Sequence, residues 1–110
     1  MKRRVLKANK LVNRELSKII QKIGFSKDVL VTLTRVRCSN DLSDARVFIS
    51  VMPEEKKGQV MKTLKDKIYE TQQKLNDRLD LKIVPKINYI EEEKVKEAAE
   101  VEETLDNLED

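Results

Sequence analysis

The sequence predicts an α+β domain in which amphipathic helices cover one face of a three-stranded sheet. Two observations lead to this fold class. Apolar residues recur every three or four positions in two long segments, as in helices, and residues 29–52 are rich in β-branched side chains. The expected order is helix, strand, strand, long helix, strand, with a short acidic helix at the end. A chain of 110 residues has the length of one domain with one core.

The first predicted helix covers residues 3–23 and has two opposite faces. Its apolar residues, from Val5 to Ile23, recur at steps of three and four. Gly24 follows and can end the helix, because glycine adopts the left-handed conformation without steric cost. The other face is an almost unbroken row of positive charge, the basic stripe, made of Lys7, Lys10, Arg14, Lys18 and Lys22, with Arg3 and Arg4 ahead of it.

Two strands joined by a polar turn come next. The first is expected from Val29 to Cys38 and the second from Ala45 to Met52, where β-branched residues are frequent. The alternation of apolar and polar residues fails within the first strand, so we expect a β-bulge near Thr34-Arg35. The turn, residues 39–44, contains Ser, Asn and Asp, whose short side chains can bond their own backbone.

A long helix, roughly Lys57 to Leu79, is predicted by an apolar stripe that stays in phase for about six turns. No glycine or proline interrupts its middle, so we expect it to be continuous or gently bent. If it has a kink, we expect it at Lys67–Thr71, where the hydroxyl of Thr71 can bond back to a carbonyl one turn earlier.

The end of the chain holds a third strand and an acidic segment. Residues 81–90 contain a short strand with Pro85 at its start or edge, and Ile83, Ile87 and Tyr89 are expected on one face of it. We expect residues 1–93 to form the domain and residues 94–110 to be an acidic C-terminal helix or tail. Its apolar residues form only a thin stripe: Val95, Ala98, Val101, Leu105 and Leu108.

Charge and composition limit the possible functions. Residues 1–37 carry a net charge of +9, residues 38–90 of +2 and residues 91–110 of −8. The basic front favours a polyanionic partner, although a solvated charged face is the simpler alternative. There is no histidine, and there are only two glycines and one cysteine, Cys38, which we interpret as a small core residue. We therefore expect no enzymatic activity, no cofactor, no metal and no small-molecule substrate. Because no apolar run or signal peptide is found, we expect a cytoplasmic protein and no contact with membranes.

Three segments carry a family resemblance: Asn13–Ile20, the hairpin Val31–Val51 and Leu79–Tyr89. In their sequence, order and separations they resemble the ribosome-binding factor A family of bacterial ribosome maturation factors. The resemblance spans roughly residues 3–105. It implies a single type II KH-like domain and a non-catalytic factor that binds the small ribosomal subunit and its ribosomal RNA, and we expect a monomer. The family kinks its long helix at an Ala-x-Gly element, whereas this chain has Lys67-Ile68-Tyr69 there. We therefore expect side-chain charge to replace close backbone approach to RNA.

Two groups of cations are candidate RNA contacts, because phosphates are bound by long cationic side chains on one surface. In the second group, interleaved acidic residues make pairing within the helix an equal alternative. Two other functions stay open: a KH-like module for another structured RNA, and a protein–protein adaptor that uses the long helix and the acidic tail. The first group is Arg3, Arg4, Lys7, Lys10, Arg14 and Lys18, and the second is Lys67, Lys74, Arg78, Lys82 and Lys86.

Overall fold

Helices cover one face of a three-stranded sheet in this computed structural model, which describes residues 2–92. This arrangement confirms the predicted α+β fold and element order. The expected acidic helix or tail, residues 94–110, lies outside the described residues, and so does the domain boundary after residue 93. The elements are α1 (Arg3–Gln21), β1 (Leu30–Cys38), β2 (Asp44–Met52), a 3₁₀ turn (Glu54–Lys56), α2 (Lys57–Asp66), α3 (Ile68–Arg78) and β3 (Lys86–Glu91).

The sheet has the strand order β1-β2-β3, with β1 antiparallel and β3 parallel to β2. The pairing of β1 with β2 shifts by one residue between Leu33 and Arg35, which confirms the predicted bulge. An extra residue in one strand reverses the side-chain alternation beyond it. Val36 and Cys38 therefore point to the helix-covered face, where both are buried.

The core lies between the helices and the covered face of the sheet. Helix α1 supplies more buried apolar residues than any other single element, because its apolar residues, apart from the exposed Leu6, point to one side. The sheet contributes alternate residues of each strand, as its period of two requires. The buried residues include Val5, Ala8, Val12, Leu16, Ile19 and Ile20 of α1, Val36, Cys38, Ala45, Val47, Ile49, Val51, Ile87 and Tyr89 of the sheet, Val60, Met61, Leu64, Thr71 and Leu75 of α2 and α3, and Leu79 directly after α3.

Two chain breakers act as the sequence predicts. Gly24 has φ +84°, in the left-handed region, shortly after α1 ends. Pro85 immediately precedes β3, where its missing N–H costs no ladder hydrogen bond. The expectation for Ile83 was wrong: it lies before β3 begins and is 57% exposed, whereas Ile87 and Tyr89 are buried. Strand alternation cannot reach back through the proline to place Ile83.

The long helix is broken, and the expectation of a continuous helix was wrong. Helix α2 ends at Asp66, Lys67 is non-helical with φ −98° and ψ 6°, and α3 begins at Ile68. This is the place where the sequence predicts a kink if there is one. The expectation named the Thr71 hydroxyl. The hydroxyl that bonds back by one turn is instead that of Thr63, which donates to the Gln59 carbonyl at 3.1 Å. The two halves have different partners, since α2 packs on β2 and β3 whereas α3 packs on α1 and β3.

Candidate nucleic-acid interface

The basic stripe lies on the face of α1 that points away from the core. All five of its lysine and arginine residues are exposed, whereas the apolar residues on the opposite side of the helix are buried. The side chains of Arg14 and Lys18 are 63% and 54% exposed, respectively. Arg3 is exposed on the same side, and the rise of a helix places it about 22 Å from Lys18. Such a row can contact successive phosphates of one nucleic-acid strand.

The first turn of α1 is arranged against the preference of the helix dipole. It contains no acidic residue and no side-chain cap, but it carries Arg3 and Arg4. Cations at a helix N-terminus are unfavourable, because the unpaired N–H groups already form a positive end. Arg4 also donates to the Asn40 carbonyl at 3.3 Å and so links α1 to the hairpin turn. Arg4 therefore has a structural contact, and the local electrostatic cost at Arg3 is consistent with an anionic partner.

Glu15 joins the two predicted groups of cations, a link that no sequence pattern indicates. It is 9% exposed on the edge of α1. Arg14 Nε donates to its carboxylate at 2.9 Å, Lys18 Nζ at 3.5 Å and Arg78 Nη1, from α3, at 3.5 Å. The hydrogen bond from Arg14 and the nearby charge of Lys18 lower the pKa of Glu15, against the opposing effect of burial. One carboxylate therefore holds cations from both helices at a single place on the surface.

The second predicted group is divided by the structure. Lys74 is one turn before Arg78 on α3, so the two cations share the side of α3 that meets α1. Within residues 2–92, no ion pair joins Lys67, Lys74 or Arg78 to the acidic residues interleaved with them; Asp66 pairs instead with Lys62 at 2.9 Å. This result weakens the alternative of pairing within the helix.

Lys82 and Lys86 lie outside helices α1 and α3. Lys82 is exposed in the loop between α3 and β3. Lys86 is the first residue of β3, opposite Asp44, and alternates with buried Ile87. Its side chain therefore points to the face of the sheet that no described helix covers, which we call the open face. The structure thus brings Arg14, Lys18 and Arg78 together at Glu15, with Lys74 one turn before Arg78, and leaves Lys86 on the open face.

Lys67 lies at the helix break, close to Tyr69, which is 77% exposed. The negative φ of Lys67 is accessible to any L-residue, so the break needs no glycine here. Thr63, Asp66 and Glu70 line a shallow depression together with these two residues. The exposed cation and ring agree with the expectation that this region presents side chains.

Asp41 accepts several of the hydrogen bonds that hold the hairpin turn together. Its Oδ1 accepts hydrogen bonds from Ser39 Oγ at 2.8 Å, Ser43 Oγ at 2.7 Å and the Ser43 N–H at 3.1 Å. The hydrogen bonds from Ser43 come first among the causes that lower the pKa of Asp41 to about 2. Leu42 has φ 60°, so the turn holds one non-glycine residue in the left-handed region.

Cys38, the one cysteine of the chain, is buried. Burial raises the pKa of Cys38 to about 11, which keeps the thiol protonated and poorly nucleophilic. No cluster of acidic or cysteine side chains able to hold a metal ion occurs among residues 2–92. None of the described helices is both long and apolar enough to span a bilayer.

Comparisons with known proteins agree with the resemblance seen in the sequence. The family model for ribosome-binding factor A matches residues 4–105. The chain is 32% identical over 109 residues to ribosome-binding factor A of Opitutus terrae, covering 98% of this chain and 89% of that protein. The crystal structure of ribosome-binding factor A from Thermus thermophilus superposes with a TM-score of 0.69 at 21% identity, covering 79% and 94% of the two chains.

A second Thermus thermophilus structure is a homology model of ribosome-binding factor A fitted into a cryo-EM map of a complex with 30S. It aligns with a TM-score of 0.61 and 22% identity over 73% of this chain and 86% of that one. These likenesses support the fold, and the family assignment rests on the family model and the curated relative. The chain belongs to the ribosome-binding factor A family.

Proposed function

We propose that this protein is a non-catalytic, cytoplasmic factor that binds the small ribosomal subunit through its ribosomal RNA and assists late maturation of that subunit. The observation that carries the proposal is the joining of the two cation groups at Glu15. Cations of α1 and α3 thus lie side by side on one basic surface. The family membership and the 30S complex of the Thermus thermophilus relative support the choice of the ribosome over other polyanions.

The RNA contact is expected to be electrostatic, because the surface consists of long exposed cations with few aromatic rings nearby. Four aromatic residues in the whole chain leave little room for recognition by base stacking. Lys67, Lys74 and Arg78 extend the contact along α3 toward the helix break. The apolar side of each helix is buried in the core, so RNA can contact the charged side without exposing the core.

The test measures binding to purified small subunits by co-sedimentation and repeats it over a range of salt concentrations. A variant with Lys7, Lys10, Arg14 and Lys18 changed to Gln should bind more weakly. Its slope of log affinity against log salt should flatten by up to about 0.9 for each duplex phosphate that the variant no longer neutralises. The matched control changes Lys27, Lys57, Lys62 and Lys65 to Gln, which removes the same charge elsewhere and should leave the slope nearly unchanged.

A second variant, with Lys67, Lys74 and Arg78 changed to Gln, asks whether α3 belongs to the same surface. If it does, this variant also lowers the slope, and combining it with the α1 changes gives a non-additive effect because Arg78 and Arg14 share Glu15. Equal slopes for the control and both variants would refute the proposal. Equally tight binding to unrelated structured RNAs would favour the KH-like module for another RNA instead.

A further inference from the structure

A cleft that the proposed function does not use lies between the loop after α1 and helix α2. Its volume is about 360 Å³, at the small end of the range for binding sites of small ligands. Among its lining residues, Ile23 directly follows Lys22, the last residue of the basic stripe. Lys67, at the helix break, also lines it and belongs to the second group of cations. The cleft therefore continues the α1–α3 basic surface beyond Lys22.

Much of the cleft is apolar. Val60 of α2 is buried, whereas Ile23, Phe25 and Val29 of the loop are half-buried and pack against the core. Phe25 brings the only aromatic ring among the lining residues. An aromatic side chain in such a position offers a face on which a flat ring can stack. The cleft can therefore hold a ligand with apolar faces.

The charge of the cleft is positive. Two lysines, Lys56 and Lys67, line it, and none of the described residues that line it is acidic. The depression beside Tyr69 differs, since Asp66 and Glu70 are part of its lining. Phosphates are bound by long cationic side chains, so the cleft suits a ligand with a phosphate better than that depression does.

The polar groups of the cleft can contact the edge of a flat ring. Gln59 is exposed, and its side-chain amide has donors and an acceptor, which suit the edge of a base. The Thr63 hydroxyl donates to the Gln59 carbonyl, so its oxygen is still able to accept. Ser26 Oγ donates to Asp28, outside the lining; this hydrogen bond is the largest cause of the lowered pKa of Asp28, and the charge of Lys56 adds to it. The cleft thus combines an apolar wall, cations and a hydrogen-bonding amide.

We propose that this cleft receives one unpaired nucleobase of the bound RNA, an inference that rests on the proposed RNA contact of the α1–α3 surface. The base stacks on Phe25 with its edge toward Gln59. Lys56 and Lys67 contact the phosphates on either side of it. One base needs one aromatic ring, so the site is compatible with the low aromatic content of the chain. An apolar side chain of a protein partner would fit the same walls but would not use the two lysines.

The first experiment titrates the isotope-labelled full chain with the four nucleoside monophosphates and, as the control, with ribose phosphate, which has the phosphate but no base. The amide signals of Phe25, Ser26 and Gln59 should shift with at least one nucleotide and should not shift with ribose phosphate. Phe25→Leu, which removes the ring but keeps the position apolar, should weaken this binding by about 5-fold or more, the loss expected for one stacked base. The matched exchange Phe48→Leu, in β2, should leave the binding unchanged.

Binding to small subunits separates this inference from the proposed function. Phe25→Leu and Gln59→Ala should each lower the affinity without changing its slope against log salt, because neither change removes a charge. Gln73→Ala, at an exposed position of α3 outside the cleft, is the control for the second change and should bind normally. Thermal unfolding shows whether each variant is folded.

Several results would overturn the inference. If the lysine variants flatten the salt slope as predicted but both cleft variants bind normally, the base site falls and the proposed function stands. Equal shifts with nucleotides and with ribose phosphate, or shifts only at Lys7 and Lys10, would mean that the phosphate alone is bound. Cleft signals that respond to a small-subunit protein but to no nucleotide would assign the cleft to a protein partner.

Discussion

A series of glycine substitutions can test how the long helix is broken without the family's glycine. Lys67 has φ −98°, so its conformation needs no glycine, whereas Gly24 has φ +84°. A Cβ added at Gly24 would meet no atom within 4 Å, so Gly24→Ala reports backbone strain alone. That strain costs about 1–2 kcal/mol, offset in part by the smaller entropy of the unfolded chain. We expect Gly24→Ala to lower the free energy of unfolding by about 1 kcal/mol.

At the break the sign of the glycine effect is reversed. Lys67→Ala should be nearly neutral, and Lys67→Gly should be less stable than Lys67→Ala by about 0.5–1 kcal/mol, because glycine gains flexibility in the unfolded state and relieves no strain here. Tyr69→Gly, which restores the family's glycine position, should destabilise by about as much, since Tyr69 is inside α3. Gly58→Ala in α2, where a Cβ also meets nothing within 4 Å, should instead stabilise by about 0.5 kcal/mol.

Urea unfolding followed by circular dichroism gives these differences directly, and for a domain of this size 1 kcal/mol shifts Tm by roughly 4–8 °C. The comparison of Gly with Ala at residue 67 isolates the backbone, because both changes remove the same charge. If Lys67→Gly is more stable than Lys67→Ala, the break is strained for L-residues, and our account of its geometry is wrong.

Three further predictions concern single side chains. Because the pKa of Asp41 falls from 3.8 to about 2 on folding, its charge stabilises the protein above pH 3.8, and this contribution is lost as the pH falls through 2. Asp41→Asn should therefore lower the urea midpoint at neutral pH and converge with the parent protein near pH 2. The Cys38 thiol should react with iodoacetamide only when urea unfolds the domain, since it is buried and its pKa is about 11. Rapid labelling of native protein would contradict that burial. Glu15→Gln should tighten binding to small subunits and steepen its salt dependence more than the matched exposed change Glu55→Gln, because it frees Arg14 and Arg78. Equal effects of the two changes would remove Glu15 from the interface.

Local sequence signals predicted the strands and the first helix closely. The failed alternation around Thr34 located the bulge, and Gly24 marked the turn after α1. These features depend on a few neighbouring residues, whose conformational preferences are strong enough to act alone. The position of Ile83 was misjudged because strand periodicity was extended through Pro85 into a loop.

The helix break and the completed surface depend on contacts between residues that are far apart in the chain. The apolar stripe from Val60 to Leu79 stays in phase, so the local sequence pattern does not indicate that α2 and α3 have different packing partners. The exposed row on α1 followed from helical spacing alone. The contact of Arg78 with Glu15 joins residues 63 positions apart, and no sequence pattern specifies it.

The helix break and the basic surface have a common origin in packing. Helix α2 packs on β2 and β3, whereas α3 packs on α1 as well as on β3, so α1 becomes a packing partner only after the break at Lys67. This contact with α1 brings Arg78 within 3.5 Å of Glu15 and places a second row of cations beside the first. If α2 continued straight, the same residues would lie on one helix, but the α3 part would follow the direction of α2 and would not pack on α1. The packing of α3 on α1 stabilises the break, so the break does not require the family's glycine. The resulting surface presents its charge on side chains.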